Sequence, residues 1–574
     1  MSHPDGARPR HGRLAWGLAV LLALAWFANL DGRALIRPDE GRYAEIARHM
    51  AMTGDWLTPR LNGIKYFFKP PLQAWASAAA FDLFGLHHWT ARLWSALTGF
   101  LGIVLMGAIG ARLYGARTGL IAAAVLGSAG LYVGIGHLNT LDMGLTFFMS
   151  AAMGFILLGL QSPAGSRREL HWMLGAWVAM ALAVLSKGLV GLVLPLGGVA
   201  IAALLALDWR LPLRMRPLAG GAVFMLVAAP WFIAVSLRNP EFAHFFFIHE
   251  HFERFLTTVH RRGEPWWFFL EVQALGSHPW LFAMLAGLLG AWRADERFAR
   301  TPVPPSAPVA RPARLLACWA VLIVLFFSLS SSKLPSYTLP AWPALALLAA
   351  LHLAQATPRV LAAHCAVAAV LAACGLALSP LIGARAESAA QALLFPQFAR
   401  YVAIAAAVVL ASAIVATVLV LRRRSLAGIL VLSFGALLGW QAMIAGYDRL
   451  SPMTGVYHLV RQAERDLRDA QPDTPFYSVE VYDQTLNFYL RRETTLVAFR
   501  DELDFGLGVE PDRWIPTTAL FEERWRRDPL AFAIMPPATF DRLSAQGLPM
   551  RLLARDERRA LVRTVPPDGA EGSR

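Results

Sequence analysis

Apolar runs long enough to cross a bilayer recur along most of this chain, and no other feature restricts its fold as much. Hydrocarbon offers the backbone no hydrogen-bond partner, so a spanning segment must satisfy its own amides as a helix unless strands close into a barrel. At about 20 residues per crossing, about thirteen segments qualify, near 14–31, 89–111, 118–136, 142–160, 171–186, 188–207, 218–237, 270–292, 314–330, 337–355, 360–378, 399–421 and 426–446. Of the 574 residues, 56% are hydrophobic and 16% charged, and the mean hydropathy is +0.46. Together these values describe a polytopic α-helical membrane protein.

Arg8, Arg10 and Arg13 precede the first run in the manner of a secretory leader. The run is of spanning length and passes straight into a charged loop, so it reads as an uncleaved anchor. With the N-terminus in the cytoplasm, Arg112/Arg117, Arg167/Arg168, Arg210/Arg214/Arg216, the 293–314 segment, Arg359 and Arg422-Arg423-Arg424 all fall on the cytoplasmic side, as the positive-inside rule requires. The net charge of +14 is therefore topogenic, and the dispersal of its basic residues among short loops argues against nucleic acid as a partner. Cys318, Cys365 and Cys374 all lie in apolar runs and indicate neither a disulfide framework nor a thiolate metal site.

The opposite face receives loop 32–88, the turns at 137–142, 187 and 330–337, loops 238–269 and 379–398, and everything after Tyr447. Residues 1–446 read as a transmembrane domain that includes loop 32–88, and 447–574 as a separate α/β domain. Within it, 476–482, 495–499 and 530–535 have strand composition, while 520–527 and 539–546 are helical.

Loop 32–88 concentrates the chemistry. Asp39, Glu40, Arg42, Tyr43, Glu45 and Arg48 open it, and Asp55, Lys65, Tyr66 and Lys69 follow. On a helix entered at Pro38, Arg42, Glu45 and His49 share one side and Tyr43, Ala47 and Met50 another, the pattern of an interfacial helix with a solvated charged face. That bland reading is preferred for Glu45, Arg48 and His49. Asp39 and Glu40 sit at the helix start, where a carboxylate either caps the helix or does chemistry. Asp142 and Lys187 lie at helix ends, where capping and snorkelling compete with function. His249 and His251 offer ring nitrogens, but alternation alone favours packed histidines over ligands.

Several blocks carry a specific resemblance. Asp39-Glu40-Gly41-Arg42-Tyr43-Ala44-Glu45, Gly54-Asp55-Trp56, Leu61-Asn62-Gly63-Ile64-Lys65-Tyr66-Phe67 and Lys69-Pro70-Pro71-Leu72 lie in the first loop. Asn139-Thr140-Leu141-Asp142, Ser186-Lys187-Gly188, His249-Glu250-His251-Phe252-Glu253-Arg254-Phe255 and Ser332-Lys333-Leu334-Pro335-Ser336-Tyr337 follow further along. Taken together they resemble the bacterial 4-amino-4-deoxy-L-arabinose transferases that modify lipid A. These belong to the protein-mannosyltransferase-like GT-C glycosyltransferases.

The resemblance implies a GT-C fold in the bacterial inner membrane, with active site and C-terminal domain in the periplasm. It implies transfer of a sugar from a polyprenyl phosphate, undecaprenyl phosphate in this family, to lipid A. Breaking that glycosidic bond needs cations at the departing phosphate and a carboxylate near the sugar or acceptor. The resemblance puts Asp39 at the catalytic position, Lys69, Arg254, Tyr337, Lys187 and Lys333 at the donor phosphate, and Glu40, Arg42, Tyr43, Tyr66 and Asp142 in support. Relatives often carry an acid just before the Lys-Pro-Pro block that takes part in a divalent-metal site, zinc being the candidate. Here that position is Phe68, which removes one ligand. The alternatives are the same reaction with another sugar, or with a glycan, another lipid or protein Ser/Thr as acceptor, and, in a different class, a polyprenyl-lipid transporter. Transporters place essential charges near the bilayer midplane, whereas these candidates crowd one face.

Overall fold

The computed structural model describes residues 20–253, 264–297, 311–468 and 470–565. The chain divides into two compact units, one of 1–30, 92–384 and 399–446, the other of 31–91, 385–398 and 447–574.

The first unit is helical. Among the described residues of the whole chain, eight helices are long and apolar enough to cross a membrane, and ten if each of two bent pairs counts as one span. The stretches near 118–136 and 270–292, expected as straight spans, are these bent pairs. Ala116–Leu126 and Gly130–Gly136 meet at 67°, and Phe268–Gly276 and Leu281–Arg293 at 114°. Pro279 has no amide to donate across the second break. The two breaks also hold each other, since Trp280 Nε1 donates to Ser128 Oγ at 2.8 Å. Val190–Ala206 and Pro312–Ser328 are apolar but of 17 residues each, and the first expected segment begins outside the described residues. Among the described residues eight to ten spans thus meet the length and hydropathy of a crossing helix, and these three further segments are what separates that number from the expected thirteen.

The second unit carries a six-stranded sheet of β3 (Phe476–Val479), β4 (Thr495–Val497), β5 (Trp514–Ile515), β6 (Phe532–Met535), β7 (Met550–Arg555) and β8 (Ala560–Thr564), in the order β5-β4-β3-β6-β8-β7. β3 pairs parallel with β4 and β6, and β4 with β5, while β8 runs antiparallel to β6 and β7. The helices Thr518–Arg527 and Pro537–Ala545 lie between strands in sequence. From sequence, loop 32–88 groups with the membrane helices; in the structure residues 31–91 share this unit with the sheet.

Two local devices order that loop. Asn62 and Gly63 both have positive φ, 54° and 74°, and turn β1 (Arg60–Leu61) back onto β2 (Ile64–Lys65), the geometry for which Asn-Gly is suited. The Asp39–Thr53 helix packs against the Leu72–Phe84 helix over a shared apolar cluster that includes Ala44, Ala47, Met50, Ala74, Ala78, Phe81, Tyr482 and Phe488.

Candidate active site

The start of the Asp39–Thr53 helix is fixed by Glu40 rather than by Asp39. Glu40 is buried, accepts the Ile36 amide at 3.0 Å and pairs with Arg33 at 3.3 Å. Its carboxylate is thus spent on holding the chain entering the helix. Asp39 is 41% exposed and accepts a hydrogen bond from Arg42 Nη1 at 2.6 Å.

Arg42 is the hinge of this cluster. Its Nη2 meets Glu502 Oε2 at 2.8 Å, and the same oxygen accepts from the Tyr66 hydroxyl at 3.3 Å. Gln484 Nε2 donates to the other Glu502 oxygen. Burial alone would lower the Arg42 pKa, but Tyr66, Glu502 and Asp39 outweigh it and hold the guanidinium well above its ordinary value. A permanent cation is therefore wedged between two carboxylates, Glu502 partly buried and Asp39 more open to solvent. The arrangement depends on Gly41, because a Cβ there would lie 2.5 Å from the Gln484 carbonyl carbon. Only a glycine lets the helix approach the 484–485 backbone closely enough for Arg42 to reach Glu502.

Beyond Arg42, the charged side of the helix is not solvated. Glu45, Arg48 and His49 are all buried. Arg48 donates to both Glu45 oxygens, at 2.6 and 2.9 Å, and His49 Nε2 lies 3.2 Å from Glu493. Burial raises the Glu45 pKa in spite of Arg48, while the hydrogen bond from His49 lowers that of Glu493. The expected interfacial helix is a core helix, because its charged stripe finds partners in the distant C-terminal sequence. Glu493, Glu502 and Glu510, for which sequence supplies no partner, engage His49, Arg42 and Arg60 respectively. Nothing local in the sequence marks Glu502 or Gln484 as part of this site.

Tyr43 and Lys69 are partly buried in the same unit, Lys69 just ahead of Pro70-Pro71 and the Leu72–Phe84 helix. Phe68 stacks on Tyr66 with ring centroids 4.5 Å apart.

In the first unit three predicted residues meet. Lys187 at the end of the Arg167–Lys187 helix pairs with Asp142 at the start of the Leu141–Leu160 helix, and its ammonium lies 4.5 Å over the Tyr337 ring. Lys333 is held elsewhere, donating to the Glu264 carbonyl oxygen at 2.8 Å. His249 is partly buried and stacks on Phe245 at 5.2 Å. Arg254 and the side chain of His251 lie outside the described residues.

Zinc is a poor fit to the residues described. Position 68 offers a phenyl ring stacked on Tyr66 and no ligand atom, and no three His, Cys, Asp or Glu side chains gather as ligands among the described residues.

Comparisons with known proteins bear on the family of the chain. The family model described as "Aminoarabinose transferase C-terminal domain" matches residues 460–564, and that of "Dolichyl-phosphate-mannose-protein mannosyltransferase" matches 13–246. The undecaprenyl phosphate-alpha-4-amino-4-deoxy-L-arabinose arabinosyl transferase 1 of Sodalis glossinidius is 33% identical over 357 residues, 58% of this chain and 58% of its own length. The corresponding transferase of Aeromonas salmonicida is 30% identical over 338 residues, 58% of this chain and 59% of that one. The chain thus spans under two thirds of the length of these curated relatives. The crystal structure of ArnT from Cupriavidus metallidurans bound to undecaprenyl phosphate matches with a TM-score of 0.89 at 37% identity, covering 97% of this chain and 99% of that one. The apo state of the same protein gives 0.88 at 38%, covering 97% and 98%.

Proposed function

Since the chain belongs to the aminoarabinose transferase family, we propose that it moves 4-amino-4-deoxy-L-arabinose from undecaprenyl phosphate to lipid A at the periplasmic face of the inner membrane. The observation that carries this reading is the nearly full-length likeness to a solved transferase bound to undecaprenyl phosphate.

The reaction breaks the bond between the anomeric carbon and the donor phosphate oxygen, and the electron pair leaves with the phosphate. A new bond forms from an acceptor oxygen to the same carbon. Inversion there is what the family leads one to expect. Cations stabilise the departing phosphate, and Lys69 and Arg254 are the first candidates, with Tyr337 as hydroxyl donor. Lys187 orients the Tyr337 ring from 4.5 Å while neutralised by Asp142, and Lys333, bonded to the Glu264 carbonyl oxygen, is a weaker addition.

The acceptor decides what Asp39 does. A hydroxyl must lose a proton and needs a general base; a lipid A phosphate is already ionised and needs none. For phosphate, Asp39 stabilises positive charge developing on the sugar or orients the reactants. Its hydrogen bond from Arg42 supports that role, since it fixes one carboxylate oxygen and leaves the group partly open. Glu40 holds the helix start, Tyr66 shares Glu502 with Arg42, and Tyr43 is a further supporting residue.

Mass spectrometry of lipid A from a null host tests the assignment. The intact protein restores aminoarabinose, and Asp39→Asn and Lys69→Ala each abolish it at equal membrane abundance. An unmodified lipid A profile with the intact protein and donor present removes the sugar and acceptor assignment. Full modification by both variants removes the proposed roles of these two residues.

A further inference from the structure

The helices Leu141–Leu160 and Arg167–Lys187 pack side by side. Near the 161–166 link, at the opposite end of the second helix from Lys187, they leave a cavity of about 460 Å³ lined by Phe155, Arg168, His171, Trp172 and Gly175. Its floor is aromatic, with the Phe155 and Trp172 rings 5.5 Å apart and tilted by 36°. Gly175 keeps that floor open, because even a Cβ at this position would lie 3.3 Å from Phe155 Cδ2.

The rim is basic. Arg168 and His171 are exposed, and neither side chain has a hydrogen-bond or ion-pair partner among the described residues. Arg112, in the last turn of the His88–Tyr114 helix, lies 5.5 Å over the Trp172 ring. The neighbouring acid does not neutralise this rim. Glu169 is buried and already taken by Arg214 at 2.6 Å, Arg216 at 3.4 Å and the Gly165 amide at 2.7 Å.

An apolar floor under a cationic rim, at the end of two apolar helices, suits an amphiphile whose head is anionic. A free anion would use the rim and gain nothing from the floor, whereas a lipid uses both. Basic pockets between membrane helices bind acidic headgroups on these terms, and Trp at helix ends marks the depth at which headgroups lie. We propose that this cavity binds one acidic glycerophospholipid of the surrounding leaflet. Arg168, Arg112 and His171 donate to its phosphate, and Phe155, Trp172 and Gly175 receive the first part of an acyl chain. The site is separate from donor chemistry and does not depend on which sugar is transferred.

Native mass spectrometry of the full chain in detergent, titrated with phosphatidylglycerol or phosphatidylcholine, reads this directly. The intact protein retains one phosphatidylglycerol in preference to phosphatidylcholine. Arg168→Gln and Arg112→Gln each weaken that binding roughly fivefold. Gly175→Leu fills the floor with all charges kept, and it abolishes the adduct while binding of added undecaprenyl phosphate is unchanged. The arginine variants stand on the surface and keep the test decisive should Gly175→Leu misfold. Equal retention of the two phospholipids by the intact protein overturns the proposal. So does undiminished phosphatidylglycerol binding in the arginine variants, or loss of undecaprenyl phosphate alone.

Discussion

Arg42 and Glu502 meet at 2.8 Å, so that a residue early in the chain is anchored by one close to its end. The same guanidinium holds Asp39. Glu502 therefore acts on the candidate catalytic carboxylate at one remove, as a positioning residue. In Glu502→Gln, Arg42 keeps Asp39 but loses its charged anchor, a bond to a charged group of about 1.5–3 kcal/mol. We expect turnover to fall by roughly tenfold or more with little change in KM, and Glu502→Asp to recover part of it. Steady-state kinetics on purified enzyme decides; an unchanged kcat with intact folding would make the Arg42–Glu502 contact purely structural.

Glu45 and Arg48 form a buried, bidentate pair. Removing one partner strands the other, so Glu45→Ala is expected to destabilise the protein by about 3–5 kcal/mol. The double replacement Glu45→Leu, Arg48→Met removes both charges together and recovers most of that loss. Thermal melting of the single and double variants makes the comparison, and a double variant as unstable as the single one contradicts it.

Arg559 is buried and joins Asp483 at 2.6 Å to Asp556 at 2.7 Å. Burial pushes the Asp556 carboxyl up, but His458 and Arg559 overcome this and hold it below the ordinary value. A carboxyl depressed in the fold stabilises it above the unfolded pKa, about 3.9 for Asp, and this contribution is lost as pH falls through the lower folded value. Asp556→Asn should lower the melting temperature at neutral pH by about 2–4 °C and flatten its decline below about pH 4. Parallel acid-dependent slopes for the two proteins would remove Asp556 from the explanation.

Phe68 supplies no metal ligand and is packed on Tyr66. Treatment of the purified enzyme with a chelator should leave transfer within about twofold, since no barrier contribution is assigned to a metal. Loss of transfer restored by added zinc would show that ligands gather by a route the described residues do not reveal.

The membrane architecture is legible because hydropathy is a local property. Where the chain bends, at Ser128 and Pro279, the apolar run continues and only the backbone changes course, so a window over composition reads one straight span. Of the sheet, β3, β4 and β6 fall within stretches of evident strand composition. Half of the β7 residues are exposed and β5 has only two residues, which leaves little pattern to find. The site divides in the same way. Asp39, Arg42, Tyr66, Asp142, Lys187 and Tyr337 stand in recognisable blocks, and the structure gathers them into two clusters. Glu502 and Gln484 do not, because their relation to Arg42 is made by tertiary packing across hundreds of residues. The helical spacing of Arg42, Glu45 and His49 was visible, but spacing shows only that charges share a side, and cannot show what covers them.

The close backbone approach at Gly41 also sets a timetable for synthesis. The Asp39–Thr53 helix emerges long before β3, and at ordinary elongation rates the interval is roughly 20 to 80 seconds. Throughout that wait His49 and Arg42 cannot reach Glu493 or Glu502, and the apolar cluster of the helix lacks Tyr482 and Phe488. The nascent loop must be tolerated, or held by the cell's assembly machinery, until the last stretch of chain arrives. Premature termination anywhere before the sheet therefore strands a fragment with an incomplete core and with Arg42 and His49 lacking their acidic partners, a natural target for proteolytic quality control.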